Sequence, residues 1–271
     1  MAVTVADIEV SNAGGEKFQG FVDVNLPGVP SFVMFTNNDC LICRKTLQGG
    51  FEPIALRLWI DRVRRSSFAF DIGAHTGIYT LAAGNANPRC VVHSFEPMGP
   101  AFYRLILNIE ANGQQSHIRA HNIGITHRNG PIKLLAPRRP YPLIDPCASI
   151  ATGDKYGFES FSAIGRTLDS LINDDRLNGG LVMKIDVENA EGQVLNGGEA
   201  LIKKHRPDMF IELLGQKRVT SIGAWLEAIG YKLYHIDEIT ENITAKNLVN
   251  SSSQETNNSN WFATCDQSFG P

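Results

Sequence analysis

Apolar positions along the chain switch period several times, and each switch marks an element. Between residues 18 and 36 two apolar runs, FQGFVDVNL and SFVMFT, are split by Pro27, Gly28 and Pro30. Near-alternation with a Pro/Gly break predicts a β-hairpin. PIALRLWIDRVR, residues 53–64, changes to a helical period. Ile54, Leu58 and Trp59 share a face with Arg62 and Val63, and Pro53 suits a first helical position.

From residue 68 the pattern alternates short apolar runs with helical ones. SFAFDIG, CVVHSFEP, GLVMKIDV and MFIELL predict buried strands. HIRAHNIGI, GPIKLLAP, YKLYHI and NWFATC predict further strands. GIYTLAAGNA, PAFYRLILNIEANG, NAEGQVLNGGEALIKKH and TSIGAWLEAIG predict helices, with Gly113 and Gly230 as stops. Strands that read as continuous apolar runs, separated by helices, predict βαβ units and a doubly wound, mostly parallel α/β sheet. Residues 1–66 are then an extension of hairpin and helix, and residues 67–271 the α/β domain. ENITAKNLVNSSSQETNNSN, residues 241–260, is polar and predicts a loop.

Composition narrows the function classes. The chain has 271 residues, 43% hydrophobic and 20% charged, enough for an ordinary core. Twenty-five basic against 28 acidic residues give a net charge of −3. That balance disfavours a long nucleic-acid footprint. No run approaches the roughly 20 apolar residues of a membrane span. MAVTVADIEV lacks the basic start of a signal peptide. Five cysteines do not form a disulfide framework, so the expectation is a cytoplasmic protein with reduced thiols.

The candidate chemistry lies at strand ends. Asp71-Ile-Gly73-Ala-His75-Thr-Gly77 joins a buried strand to a helix. Its glycines let the backbone approach a ligand closely, and the helix start offers unpaired N–H groups. Glu96 ends the next strand, where a carboxylate can accept from ribose hydroxyls. The glycine spacing is not the GxGxxG of dinucleotide dehydrogenases. Asp186 and Glu212 end two more buried strands. Four carboxylates, Asp71, Glu96, Asp186 and Glu212, are thereby expected along one edge of the sheet, where open α/β sheets bind ligands. Glu188 and Glu191 are expected in the first turn of the next helix, with capping as the simple role of Glu191.

Taken in order, FDIGAHTGIYTL, SFEPMGPAFYRLILNIEANG, NIGITHRNGPIKL, TLDSLI and KIDVENAEGQVLNGGEALIKKHRPDMFIEL resemble the FkbM-type methyltransferases. These are a branch of the Rossmann-like S-adenosylmethionine enzymes. The likeness spans about Phe68 to Leu214. It departs at Asn189, where the family usually has Gly, at Gly192, where an apolar residue is usual, and at His127, where a small polar or acidic residue is common. The resemblance implies a Rossmann-like, seven-stranded sheet and S-adenosyl-L-methionine as cofactor. It implies that Asp71, Gly73 and Gly77 surround the cofactor's methionine part, and that Glu96 holds the ribose beside Pro97 and Met98; His75, from its place in the glycine turn, is expected either to touch cofactor or acceptor or only to cap the turn. Asn122, Ile123 and Gly124 would lie near the adenine. Asp186, with Glu212 as runner-up, would serve the acceptor, a hydroxyl on a sugar, glycan or polyketide-like metabolite. A protein that only binds a nucleotide, as sensor or scaffold, and an N- or C-methyltransferase are the competing readings. Oligomeric state is left open.

Three other features have simple readings. Cys40-Leu-Ile-Cys43 is a lone CxxC without further zinc ligands, so no zinc site is expected; magnesium or calcium on Asp186 and Glu212 is left open. Arg62, Arg64 and Arg65, and Lys203, Lys204 and Arg206, read as solvated helix faces. Arg138 and Arg139, in APRRPYPLIDP, read as part of a lid over the acceptor.

Overall fold

The computed structural model describes residues 19–48, 50–137, 149–150, 156–171, 177–246 and 260–270. The N-terminal decapeptide, the Arg138–Arg139 segment and the Ser/Asn-rich stretch after residue 246 lie outside them.

In chain order the elements are β1 (Gln19–Val24), β2 (Phe32–Asn37), α1 (Leu41–Leu47), α2 (Pro53–Val63), β3 (Phe68–Ile72), α3 (Ile78–Ala86), β4 (Val91–Phe95), α4 (Gly99–Ala111), β5 (Ile118–His121), β6 (Gly124–Ile125) and β7 (Gly130–Pro137). They continue with β8 (Ser149–Ile150), β9 (Phe158–Arg166), α5 (Leu168–Leu171), β10 (Leu181–Ile185), α6 (Glu191–Gly197), α7 (Glu199–His205), β11 (Asp208–Glu212), α8 (Gln216–Ala228), β12 (Lys232–Asp237), β13 (Asn242–Lys246) and β14 (Asn260–Thr264).

The main sheet has the order β13-β12-β14-β11-β10-β3-β4-β5. Five neighbours, β5, β4, β3, β10 and β11, run parallel. β14 is inserted antiparallel between β11 and β12. The α/β fold is as read from the sequence, with one correction to the strand count: among the described residues this sheet has eight strands, not seven. The extra strand is β13, within the stretch expected to be a loop; it pairs antiparallel with β12 and needs no apolar face at this sheet edge.

Alternation along the strands builds a core on each face. Ala69, Val92, Val182, Phe210 and Phe262 face α2, α3 and α4, with Trp59, Leu81 and Leu105 among their partners. Phe70, Met183, Ile185, Met209 and Ile211 face the other way, against Val194, Ile202, Ile222 and Leu226. Three layers result, with the sheet between helices.

The hairpin β1–β2 docks on α4 through side-chain amides. Asn108 accepts from Phe35 N at 2.7 Å, and Asn112 both accepts from Val33 N and donates to Val33 O at 2.8 Å. The amides occupy backbone groups that a lone hairpin edge would leave open. Arg104 adds an ion pair to Asp39 at 2.9 Å. The start of α2 is capped by the Glu238 carboxylate, which accepts from Ile54 N and Ala55 N at 2.8 and 2.9 Å.

Three further expectations are corrected. HIRAHNIGI is two strands: after His121 the Asn122 side chain donates to Glu96 O, and the chain crosses to a second sheet, β6-β9-β7-β8. β9 in that sheet has no clear apolar alternation and was not foreseen. The helix over 189–205 breaks at Gly198, where Asp169 caps a new start by accepting from Ala200 N and Leu201 N. Arg62 is not solvated. It is buried, paired with Asp208 at 3.2 Å, and lies over the rings of Phe262 and Phe269. Among the described residues no helix is long and apolar enough to cross a membrane.

Candidate active site

A cavity of about 300 Å³ opens beyond the carboxyl ends of the parallel strands. This is within the size range of small-ligand sites. Its floor is the β3–α3 turn, the tips of β4, β10 and β11, and β6.

The turn is built by close backbone approach. Gly73 has φ +88°, and a Cβ there would fall 1.7 Å from Asp186 O. Gly73 N and Ala74 N both donate to Phe95 O, and Asp186 N donates to Ile72 O. Three strand tips are thus tied into one surface. His75 also takes positive φ, and its N–H reaches Glu96 Oε2 at 2.8 Å. Glu96 Oε1 accepts from Met98 N at 2.7 Å. Both oxygens keep a lone pair for a further donor. Burial pushes the Glu96 carboxyl up to about 7, against the pull of the Met98 and His75 N–H groups.

The other end is acidic. Asp186, Glu188 and Glu212 each bring a carboxylate oxygen within 4.8 Å of the others, a geometry that could hold a hard cation. Behind them Lys184 is fully buried on the α2 face of β10. Its ammonium lies 3.5 Å from Glu52 and 3.6 Å from Asp186, 3.4 Å from Asn260 Oδ1, and 4.8 Å from the centre of the Tyr79 ring. Tyr79 donates its hydroxyl to Glu52 at 2.5 Å. Burial raises the Asp186 carboxyl to about 8, and Glu212 and Glu52 add to the rise while Lys184 opposes it. Burial also acts on Glu52, but the Lys184 ammonium and the Tyr79 hydroxyl outweigh it and hold that carboxyl low.

The sequence-derived residues divide. Gly73, His75, Glu96, Pro97, Met98, Gly124, Asp186 and Glu212 all line the cavity; Asp71, Gly77 and Ile123 do not. Asp71 turns under the floor, where Thr80 donates to it at 2.6 Å; burial pushes its carboxyl up to about 6. Gly77 caps α3, where a Cβ would meet Leu105 at 2.5 Å. Ile123 packs against the core on the α6 face. Glu188 stands before α6, in a left-handed turn with Asn189 at φ +78°. Asn tolerates that region, which explains how it stands where the resemblance leads one to expect Gly. Glu191 starts α6 and accepts from Asn189 N, which precedes the N-cap Ala190, so the bond ties the left-handed turn and not a helix N–H, unlike the capping expected. Gly192 has open space around its Cβ direction, so no packing demands Gly there.

Cys40 and Cys43 form the first turn of α1, Cys40 Sγ accepting from Cys43 N. Burial raises both thiols, Cys43 to about 12, which keeps them protonated.

Sequence reasoning missed Glu52, Lys184 and Tyr79, and the walls from α1 and the second sheet. One signal was present: Lys184 is a lone charge inside the apolar run LVMKI. A charge fully buried in a strand must have partners.

Known proteins extend this picture. A crystal structure of an FkbM methyltransferase from Methylobacillus flagellatus is similar over 73% of this chain and 44% of its own, at 15% identity and TM-score 0.49. This chain therefore spans less than half of that protein. A precorrin-6y C5,15-methyltransferase from Geobacter metallireducens matches over 79% of this chain and 86% of its own, at 12% identity and TM-score 0.42. The tRNA (m1A22) methyltransferase TrmK of B. subtilis matches over 77% and 63%, at 12% identity and TM-score 0.39. No curated protein matches the sequence. The weight rests on the sequence family: the methyltransferase FkbM domain matches residues 71–233, more than half of the chain. The chain belongs to the FkbM methyltransferase domain family.

Proposed function

We propose that the protein transfers a methyl group from S-adenosylmethionine to a hydroxyl of a small-molecule or glycan acceptor. The observation that carries this reading is the polarity of one cavity. A glycine turn and a hydrogen-bonded carboxylate stand at one end, and a cluster of carboxylates around a buried lysine at the other. The family resemblance offers sugars, glycans and polyketide-like metabolites as acceptors. In this reading residues 1–66 are an extension of the α/β domain, 67–271. Cys40, Cys43, Cys90 and Cys265 are free thiols, in keeping with a reducing, cytoplasmic setting.

The residues present fit the cofactor. Gly73 and His75 would hold the methionine part where a Cβ at Gly73 has no room. Glu96 would accept from the ribose hydroxyls through its remaining lone pairs. Pro97, Met98 and Gly124 would flank the adenine. When bound, S-adenosylmethionine supplies an electrophilic methyl group on a sulfonium.

The chain's own contribution is positioning and proton removal. A neutral alcohol attacks poorly and needs a proton acceptor within hydrogen-bond reach. Asp186 faces the cavity, with its side chain 27% exposed. Its raised proton affinity suits a base near neutral pH. Glu212 hydrogen-bonds it and is the alternative acceptor. Lys184 opposes the rise of the Asp186 carboxyl.

Calorimetry with S-adenosylmethionine tests the cofactor site. Glu96→Ala should weaken binding by about 1–3 kcal/mol, and Gly73→Val should abolish it. Unchanged binding in both variants sinks the assignment. Labelled cofactor with a host extract would then identify the acceptor.

A further inference from the structure

The cofactor reading above assigns the sheet-tip floor of the cavity and, with Gly124, the side where Ile132 of the second sheet lies against that glycine. It leaves for the acceptor the wall from the segment before the family match: Leu41, Ile42 and Lys45 on one face of α1, then Phe51 and Glu52. Apart from Lys45 and Glu52, both walls are hydrocarbon.

The α1 wall has a direction. Glu52 fixes its inner end, held by Tyr79 at 2.5 Å and Lys184 at 3.5 Å, beside Asp186. Gly50 N donates to Lys45 O at 2.9 Å, which folds α1 back against Phe51. Lys45 and Leu41 are solvent-exposed and stand at the rim. Glu52 is committed to Lys184 and Tyr79. Among the described residues Lys45 shows no ion pair. The wall thus runs from acid, through apolar side chains, to an ammonium.

A sugar offers hydroxyls on every side, and hydrocarbon walls would leave several without partners. An apolar body suits them. The carboxylates at the inner end repel a second anion, so an acceptor's anionic group must lie far from the reacting hydroxyl, where Lys45 stands.

We propose that the acceptor is an elongated hydroxy acid or similar amphiphile. Its hydroxyl faces Asp186, its apolar body packs against Leu41, Ile42 and Phe51, and its anionic end meets Lys45. Lys45 is then a specificity-determining residue. This rests on the cofactor reading and narrows the acceptor.

The test is calorimetry on protein saturated with S-adenosylhomocysteine, with 10-hydroxydecanoate, 1,10-decanediol and methyl glucoside as probes. The hydroxy acid should bind about three- to tenfold more tightly than the diol, as one rim ion pair allows, and the glucoside more weakly than either. Lys45→Gln should equalise acid and diol, Lys45→Arg should keep the preference, and high salt should shrink it. Glucoside binding as tight as the acid's overturns the proposal, as does an acid preference that survives Lys45→Gln. Failure of S-adenosylhomocysteine itself to bind is a separate result: it removes the cofactor reading, and this proposal with it.

Discussion

Replacing Lys184 with methionine keeps most of the length of the side chain and removes its charge. The ammonium lies 3.5 Å from Glu52 and 3.6 Å from Asp186, with the lysine 1% exposed. At an effective dielectric near 20, each pair is worth about 5 kcal/mol of Coulomb energy. Desolvation offsets much of that in the intact protein. Removing the ammonium leaves both carboxylates without their counter-ion, Glu52 keeping the Tyr79 hydroxyl, which costs about 3–5 kcal/mol.

Protonation limits the loss. The Lys184 pKa is raised, above all by Glu52 and Asp186 against the burial that lowers it, so the ammonium is present throughout the neutral range. The pH dependence of the variant therefore comes from the carboxylates. At pH 6 Asp186 already carries a proton, and losing Lys184 matters less. At pH 8.5 the wild-type carboxyl is largely ionised and the cost is greater, limited only by the further rise of that carboxyl once the ammonium that opposed it is gone. Urea unfolding of wild type and Lys184→Met at both pH values reads this directly. The destabilisation should be about 3–5 kcal/mol at pH 8.5 and roughly half at pH 6. Glu52→Gln in the Lys184→Met background should recover part of it. An equal loss at both pH values, or a loss under about 1 kcal/mol at pH 8.5, refutes the reasoning.

Three further outcomes follow from the geometry. Gly73→Ala combines a left-handed backbone with a Cβ 1.7 Å from Asp186 O, and should cost about 2–5 kcal/mol in denaturant unfolding. Raised carboxyls at Asp71, Glu96 and Asp186, near 6, 7 and 8, mean that the folded state holds more protons than the unfolded one. Ligand-free stability should accordingly fall as pH rises from about 4 to 8, and a melting temperature that climbs across that window would contradict the assigned burial. Asp186→Asn should lower turnover steeply with cofactor affinity nearly unchanged; calorimetry beside single-turnover rates would expose the reverse pattern, which makes Asp186 a binding residue.

Most of the fold was legible because its signals are local. The buried runs around Ala69, Val92, Met183 and Phe210 each became a strand of the main sheet, and periodic segments such as Phe102–Ile109 became helices. Errors arose where a neighbour decides. Nothing local separates β5 from β6; the Asn122 bond to Glu96 O does. Gly198 is followed by a new helix because Asp169, distant in sequence, caps it. Arg62 looked solvated until Asp208 and the rings of Phe262 and Phe269 were brought around it.

The same rule divides the site. The end proposed for the cofactor is made largely by a turn, its own glycines and the next strand tip, between Ile72 and Met98, so a motif can encode most of it. Asp71 belongs to that motif but holds Thr80 under the floor rather than facing the cavity, since strand alternation puts it on the α3 side with Lys184. The acid end is assembled across the chain: Glu52 from before α2, Tyr79 from α3, Lys184 from β10 and Asp186 just after it, Glu212 from β11 and Asn260 from β14. No window of sequence contains this set, and its charge balance exists only once the sheet has formed. On the proposed function, residues that bind a fixed cofactor can be held by a short stretch of backbone, whereas the charge that tunes an acceptor base must be adjusted against burial, by a lysine and a glutamate that only the fold brings together.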